Sequence, residues 1–292
     1  MRIALVTPNY NYADYLEVCI QSVIGQGVDG LEYHVCDAGS TDGSLDIIKK
    51  YEPHLASWRS GPDDGPYAAI HNVLMSSECD VFGWLNSDDM LLPGTLSYVA
   101  KVFEALPEVQ WLSTLNPVIL NRQGDLFSSK IPGISRESWW DRRHCGSGWL
   151  MGYGFLQQES TFFRRSLWRS AGGLDPAFPL AGDFDLWCRF FERADIHVTR
   201  RMLGCSRNHG ANRSELMTQY KREVRDAFRR SAERTGKRPS LIKSRLLSAG
   251  MLFKTDKIRK YFVPWSYSQQ LILRGGQDKG MGSYQVLNSK YF

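Results

Sequence analysis

The chain has no Gly-x-Gly-x-x-Gly after its first apolar strand-like run, which excludes the dinucleotide-cofactor fingerprint. It has no Cys-x-x-Cys either. Its six cysteines, Cys19, Cys36, Cys79, Cys145, Cys188 and Cys205, lie far apart and mostly in apolar segments, so they read as reduced core residues of a cytoplasmic protein. No run approaches the roughly 18 to 20 apolar residues of a membrane span. The apolar stretch at residues 3–6 is too short for the core of a signal peptide, and a soluble protein is expected. Internal repeats and low-complexity tracts are also missing.

What is present is alternation. Residues 2–7 read as a strand, residues 8–11 as a turn, and Leu16, Cys19, Ile20, Val23 and Ile24 recur at helical spacing before Gly25 and Gly27. A strand over 31–36, a polar Gly-rich turn over 37–43 and a helix over 44–51 repeat the plan. A third unit has a short strand ending near 58–60, the loop Gly61-Pro62-Asp63-Asp64-Gly65, a helix over 67–75 and the apolar strand 81–85. Strands alternating with helices of this length predict an α/β fold around a mostly parallel, doubly wound sheet.

Charge is divided along the chain. Residues 215–292 carry 17 Lys or Arg against 6 Asp or Glu, whereas residues 1–214 carry 19 against 25. We expect a body of about 210 residues and a basic, mostly helical C-terminal extension over 215–292. In that extension Tyr261, Phe262, Trp265 and Tyr267 lie beside Lys257, Arg259 and Lys260. Basic residues mixed with aromatics suit peripheral contact with an anionic membrane, at about 1 kcal/mol per cation. A helical cap with a solvated charged face is the alternative. No nucleic-acid partner is expected, because nothing resembles a known binding module.

The sharpest signal is Asp88-Asp89, just past the apolar strand 81–85. Residues at the carboxyl end of a buried parallel strand face the crevice where open α/β sheets bind ligands. Two adjacent anions there call for a cation: Mg²⁺ or Mn²⁺ takes one or two protein carboxylates and completes its shell with water and phosphate oxygens. The alternative is a cap for the helix expected over 93–106.

Four stretches in this order resemble glycosyltransferase family 2, the inverting GT-A enzymes. They are Val6-Thr7-Pro8-Asn9-Tyr10-Asn11, Cys36-Asp37-Ala38-Gly39-Ser40-Thr41-Asp42-Gly43, Pro62-Asp63-Asp64-Gly65-Pro66-Tyr67-Ala68-Ala69 and Leu85-Asn86-Ser87-Asp88-Asp89. The resemblance continues through Gln157-Gln158-Glu159-Ser160-Thr161, Ala181-Gly182-Asp183-Phe184-Asp185 and Ser206-Arg207-Asn208-His209-Gly210, and so covers about residues 1–214. It implies a Rossmann-like GT-A fold with a nucleotide-binding half over 1–110 and an acceptor and catalytic half over 111–214.

The resemblance also implies roles. Thr7, Pro8, Asn9 and Tyr10 would meet the nucleobase, Asp37 would accept a hydrogen bond from it, Asp63 would lie in the donor pocket and Asp88 would face the ribose. Asp89 and His209 would hold Mn²⁺ or Mg²⁺ against the diphosphate. Asp183 would take the proton of the acceptor hydroxyl, with Asp185 in support. A helix beginning at Asp183 would keep that carboxylate ionised through its dipole, and capping that helix is the alternative role. Donor and acceptor would be a nucleoside-diphosphate sugar, UDP-linked, and a sugar or lipid-linked hydroxyl, in surface polysaccharide or glycolipid synthesis. The sequence departs from the family at Ala68, His71 and Gly182, where Asp, Asn and a carboxylate are common, and lacks the Gln-x-x-Arg-Trp of processive synthases. A nucleotidyltransferase would need a Lys- or Arg-bearing Gly-rich loop that Thr7 to Tyr12 does not supply, and a non-catalytic sugar-binding module would need no Asp183.

Overall fold

The structure is a computed structural model that describes residues 1–121, 125–144, 153–209, 217–237, 266–274 and 283–291. In chain order these form β1 (Ile3–Asn9), α1 (Ala13–Ile24), β2 (Leu31–Asp37), α2 (Ser44–Tyr51), β3 (Ser57–Ser60), α3 (Pro66–Ser76), β4 (Val81–Trp84), β5 (Met90–Leu91) and α4 (Thr95–Ala105). There follow β6 (Trp111–Thr114), β7 (Val118–Leu120), β8 (Leu126–Ser128), α5 (Arg136–Trp140), β9 (Phe162–Arg164), α6 (Arg165–Ala171) and α7 (Gly182–Arg193). The remainder is β10 (His197–Thr199), β11 (Gly204–Arg207), α8 (Met217–Thr235), β12 (Tyr267–Arg274) and β13 (Tyr284–Tyr291).

A central sheet runs in the order β13-β12-β10-β6-β9-β4-β1-β2-β3. The three units expected from the sequence are its parallel half: β1 pairs with β2 and β4, and β2 pairs with β3, all parallel. The one antiparallel insertion beside them is β9, between β4 and β6. Alternation along each strand divides the core into two layers. Ala4, Val6, Phe82, Trp84, Trp111 and Phe163 face one cluster, while Ile3, Leu5, Val81, Leu112 and Phe162 face the other. Gly83 sits tightly where they cross: a Cβ there would lie 3.0 Å from the Phe162 ring and 3.3 Å from Leu5, and both side chains would have to give way.

A smaller sheet, β5-β11-β7-β8, leaves the main one just after the acidic pair. Its β11 passes so close to the turn Gln158–Ser160 that a Cβ at Gly204 would sit 2.4 Å from the Glu159 carbonyl oxygen. Glycine lets the two segments lie side by side.

Among its described residues the extension holds strands beside the expected helix. It supplies α8, which packs on α7, and also β12 and β13, which continue the central sheet through the parallel pair β10 and β12. The reason is period-two burial: Tyr267 and Leu271 enter one core layer and Ile272 the other. Tyr267, grouped above with membrane-facing aromatics, is fully buried and its hydroxyl donates to Asp141 at 2.8 Å. Tyr261, Phe262, Trp265, Lys257, Arg259 and Lys260 lie outside the described residues. No helix among the described residues is long and apolar enough to cross a membrane.

Candidate active site

β4 delivers the acidic pair to the carboxyl edge of the sheet, where Leu85 N–H still donates to the Val6 carbonyl at 2.9 Å. The pair does not cap the next helix, since α4 begins after Gly94 with no side-chain cap. It is instead covered by the end of β11, which runs antiparallel to β5 with Cys205 opposite Met90. Arg207 N–H donates to Asp89 Oδ1 at 2.9 Å and Arg207 Nε to the Asp88 carbonyl at 3.0 Å. His209 Nε2 donates to Asp88 Oδ2 at 3.0 Å, and its ring stacks on Tyr15 at 5.1 Å. Asp88, Asp89 and His209 are therefore brought together, and the Asp88 carboxylate is directed at the imidazole.

One residue to which sequence reasoning gave no role joins them. Glu159, from the Gln158–Ser160 turn, is buried, and its Oε1 has no hydrogen-bond partner. Burial pushes its carboxyl up to about 7, and burial followed by the charges of Glu159 and Asp88 holds Asp89 well above the usual carboxylate range. Its signal lay in the stretch 157–161, but only the fold places that stretch against Asp89. Buried carboxylates and an orphaned oxygen fit a hard divalent cation. Among the described residues no three His, Cys, Asp or Glu side chains form a metal-holding group, so these residues would supply only part of a cation's shell.

The expected nucleobase residues take two different forms. Thr7 is fully buried, with its hydroxyl shared between Tyr33 Oη at 2.9 Å and Cys19, so its side chain is spent inside the core. Pro8 is buried in β1 opposite Cys36, whereas Tyr10 is 58% exposed at the rim. Asn9 Nδ2 donates to Asp37 Oδ1 at 2.8 Å, and its Oδ1 is buried without a partner. Asp37 is 0% exposed, yet it accepts from Asn9, from the N–H groups of Gly39 and Ser40, and from the hydroxyls of Ser40 and Ser60. Burial alone would raise its pKa, but these donors outweigh burial and hold it below the ordinary value. Asp63 accepts from Gly65 N–H at 2.8 Å and pairs with Arg59 at 3.4 Å, which shapes the loop before α3.

Asp183 and Asp185 separate in role. Asp185 is buried in an ion pair with Arg189 at 2.5 Å, and Arg189 also donates to the carbonyls of Ala171 and Gly173. That pair ties α7 to the end of α6. Asp183, in the first turn of α7, accepts from Phe184 N–H at 2.8 Å and from Tyr67 Oη at 3.3 Å, and caps nothing further along the helix. The dipole does not dominate as expected: burial drives Asp183 up to about 6, against the N–H of Phe184 and the Tyr67 hydroxyl. A carboxylate there is ionised at neutral pH and basic enough to take a proton.

These features can be set beside known proteins. The model of glycosyl transferase family 2 matches residues 4–160, from β1 through the acidic pair to the Gln158–Ser160 turn. The chain belongs to that family. A chondroitin synthase of Pasteurella multocida is 25% identical over 225 residues, 75% of this chain and 22% of the synthase. An uncharacterized glycosyltransferase of Nostoc is 26% identical over 218 residues, 73% of this chain and 66% of that one. The chain thus spans about a fifth of the length of the chondroitin and hyaluronan synthases of Pasteurella multocida. Among solved structures, S. aureus TarS 1-349 is similar with a TM-score of 0.56 at 17% identity, covering 78% of this chain and 65% of that one. The mannosyltransferase PcManGT from Pyrobaculum calidifontis, in complex with GDP-Man and Mn²⁺, gives 0.52 at 15%, covering 90% and 84%. The fold is that of the GT-A glycosyltransferases.

Proposed function

We propose that the chain transfers one sugar from a nucleoside-diphosphate donor, UDP-linked, to an acceptor hydroxyl with inversion at the anomeric carbon, in polysaccharide or glycolipid synthesis. The observation that carries this reading is the approach of Asp88, Asp89, Glu159 and His209 at the edge of β4, together with Asp183 held by Tyr67 of α3. Asp89 and His209 would hold the divalent cation, with donor phosphate oxygens completing the shell. Asp88 orients the imidazole through Nε2, as carboxylates orient metal-binding histidines elsewhere. Bound there, the cation would neutralise charge developing on the departing diphosphate. Asn9, fixed by its bond to the ionised Asp37, and the exposed Tyr10 form the base-side wall. Asp183 takes the acceptor proton.

Structures of relatives support the donor class: TarS 1-349 has been solved in complex with UDP-GlcNAc and with UDP. Release of UDP or GDP from a panel of nucleotide sugars, with and without Mn²⁺, tests the reading. Turnover of one donor that requires Mn²⁺ supports it, and no turnover and no nucleotide binding with any donor would end it. NMR of the anomeric proton in the first product assigns the stereochemistry.

The basic segment around Lys257, Arg259 and Lys260 supports a second, peripheral reading at an anionic membrane. Co-sedimentation with anionic but not neutral vesicles is expected, weakening as the Debye length falls from about 10 Å at 0.1 M salt to about 3 Å at 1 M. Equal recovery with both vesicle types would leave this segment a solvated face.

A further inference from the structure

The N-terminus of α7 carries the general base, yet its N-cap residue, Ala181, has no side chain with which to hold the entering backbone. That task falls to a residue from the C-terminal extension. Glu223, on α8 and buried, accepts from Leu180 N–H at 2.8 Å and from Ala181 N–H at 2.7 Å through Oε2, while Gln219 donates to its Oε1 at 2.9 Å. Across the same segment, Tyr67 of α3 donates to Asp183 Oδ1 and approaches the Leu180 carbonyl at 3.2 Å. Its ring lies so close to the backbone that a Cβ at Gly182 would come within 2.7 Å of it. The glycine that departs from the family's usual carboxylate is what admits this ring. Residues 180–183 are thus gripped from two elements, one on the donor side and one in the extension.

We propose that Glu223 is a positioning residue for Asp183, so that α8 of the C-terminal extension is part of the working transferase and not an appendage to it. The reading rests on Asp183 as the base. A carboxylate suits the position because the two N–H groups it accepts stand at the positive end of α7, and an anion there needs no cationic partner. The same anion faces Asp183 and opposes its ionisation, whereas the Tyr67 hydroxyl favours it. The other charged groups on α7 near this turn, Asp185 and Arg189, are engaged with each other and directed to α6. The two grips therefore have opposite electrostatic signs on one carboxylate.

That opposition gives the test. With the donor that the nucleotide-sugar panel identifies, kcat/KM is followed against pH for wild type, E223Q, E223A and Y67F, and the Kd for UDP with Mn²⁺ is measured by calorimetry. Removing the charge in E223Q moves the acid limb of the profile to lower pH, and removing the donor in Y67F moves it to higher pH. E223A, which frees both backbone N–H groups, lowers kcat by about tenfold or more while the UDP Kd stays within about twofold, since a misplaced base loses transition-state and not ground-state interactions. E223Q, whose amide oxygen still accepts, loses less than E223A. An acid limb unmoved in E223Q overturns the proposal, and this holds even if E223A fails to fold. Wild-type kcat in E223A overturns it equally. If D183N itself turns over normally, the assignment of the base fails, and that outcome is distinct from an inactive D183N with unchanged Glu223 variants.

Discussion

Asp37 and Asp183 are both enclosed carboxylates at the carboxyl side of the sheet, yet their charges are managed in opposite ways. Asp37 is completely buried and accepts five hydrogen bonds, so it sits below its ordinary pKa; Asp183 accepts two and is driven up to about 6 by the loss of solvent. Burial opposes the charge at both sites. The five donors at Asp37 outweigh it, and the two at Asp183 do not. Asp37 is built to stay anionic and hold the β1 and β2 loops together, while Asp183 is left able to take a proton. Asp89 and Glu159 belong with Asp183, being buried with few donors and correspondingly uneasy as anions.

Neutralising Asp183, the proposed base, should have the largest effect. Asp183→Asn should lower turnover by about 10² to 10⁴ while the calorimetric Kd for UDP with Mn²⁺ stays near wild type. Parallel loss of binding and thermal stability would return Asp183 to a capping role. Asp89→Ala should remove the Mn²⁺ dependence of UDP binding, with Asp88→Ala weakening it less, by about 10- to 100-fold as for an orienting partner of a ligand. Unchanged metal-dependent affinity in the Asp89 variant would take the cation away from this residue.

Stability should split the two carboxylates by sign. In Asp37→Asn, either orientation of the amide sets an NH₂ against N–H donors, from Gly39 and Ser40 or from Asn9, at a cost of about 2 to 3 kcal/mol in urea unfolding. Asp183→Asn should instead stabilise by about 1 to 3 kcal/mol near pH 7, because the raised pKa makes the ionised form costly in the folded state. The pH dependence follows. Asp37, depressed in the folded state, contributes stability that is present above its unfolded pKa of about 3.9 and lost as pH falls further. Asp183, raised, contributes stability that grows as pH falls through about 6. Between pH 4 and 8 the Asp37 variant should therefore melt below wild type by a constant offset, while the Asp183 variant melts above wild type near pH 7 and loses that advantage as pH falls through about 6; an Asp183 curve parallel to wild type would erase the distinction.

The parallel half of the fold was legible in the amino-acid sequence because its signals are local. Apolar runs such as residues 81–85, helical spacing from Leu16 to Ile24 and turn glycines each declare an element within a few residues. The acidic pair and Asp183 were legible for the same reason, since each sits at the end of an element whose type the sequence declares. Residues 267–274 and 284–291 carry little apolar alternation of their own, and a strand is settled only by the partner it pairs with, here β10 for β12 and β12 for β13.

By itself the sequence determined the order of strands and helices in the parallel half of the sheet, the family, and the carboxylates proposed to carry the chemistry. Tertiary structure alone decided which side chains meet. His209 reaches Asp88 across 121 positions because β11 pairs with β5, Glu159 reaches the pair because Gly204 lets β11 lie against its turn, and Glu223 reaches Ala181 because α8 packs on α7. It also decided what each carboxylate's charge is worth, because a pKa follows from the donors and the solvent around the group, and both are set by segments distant in the chain.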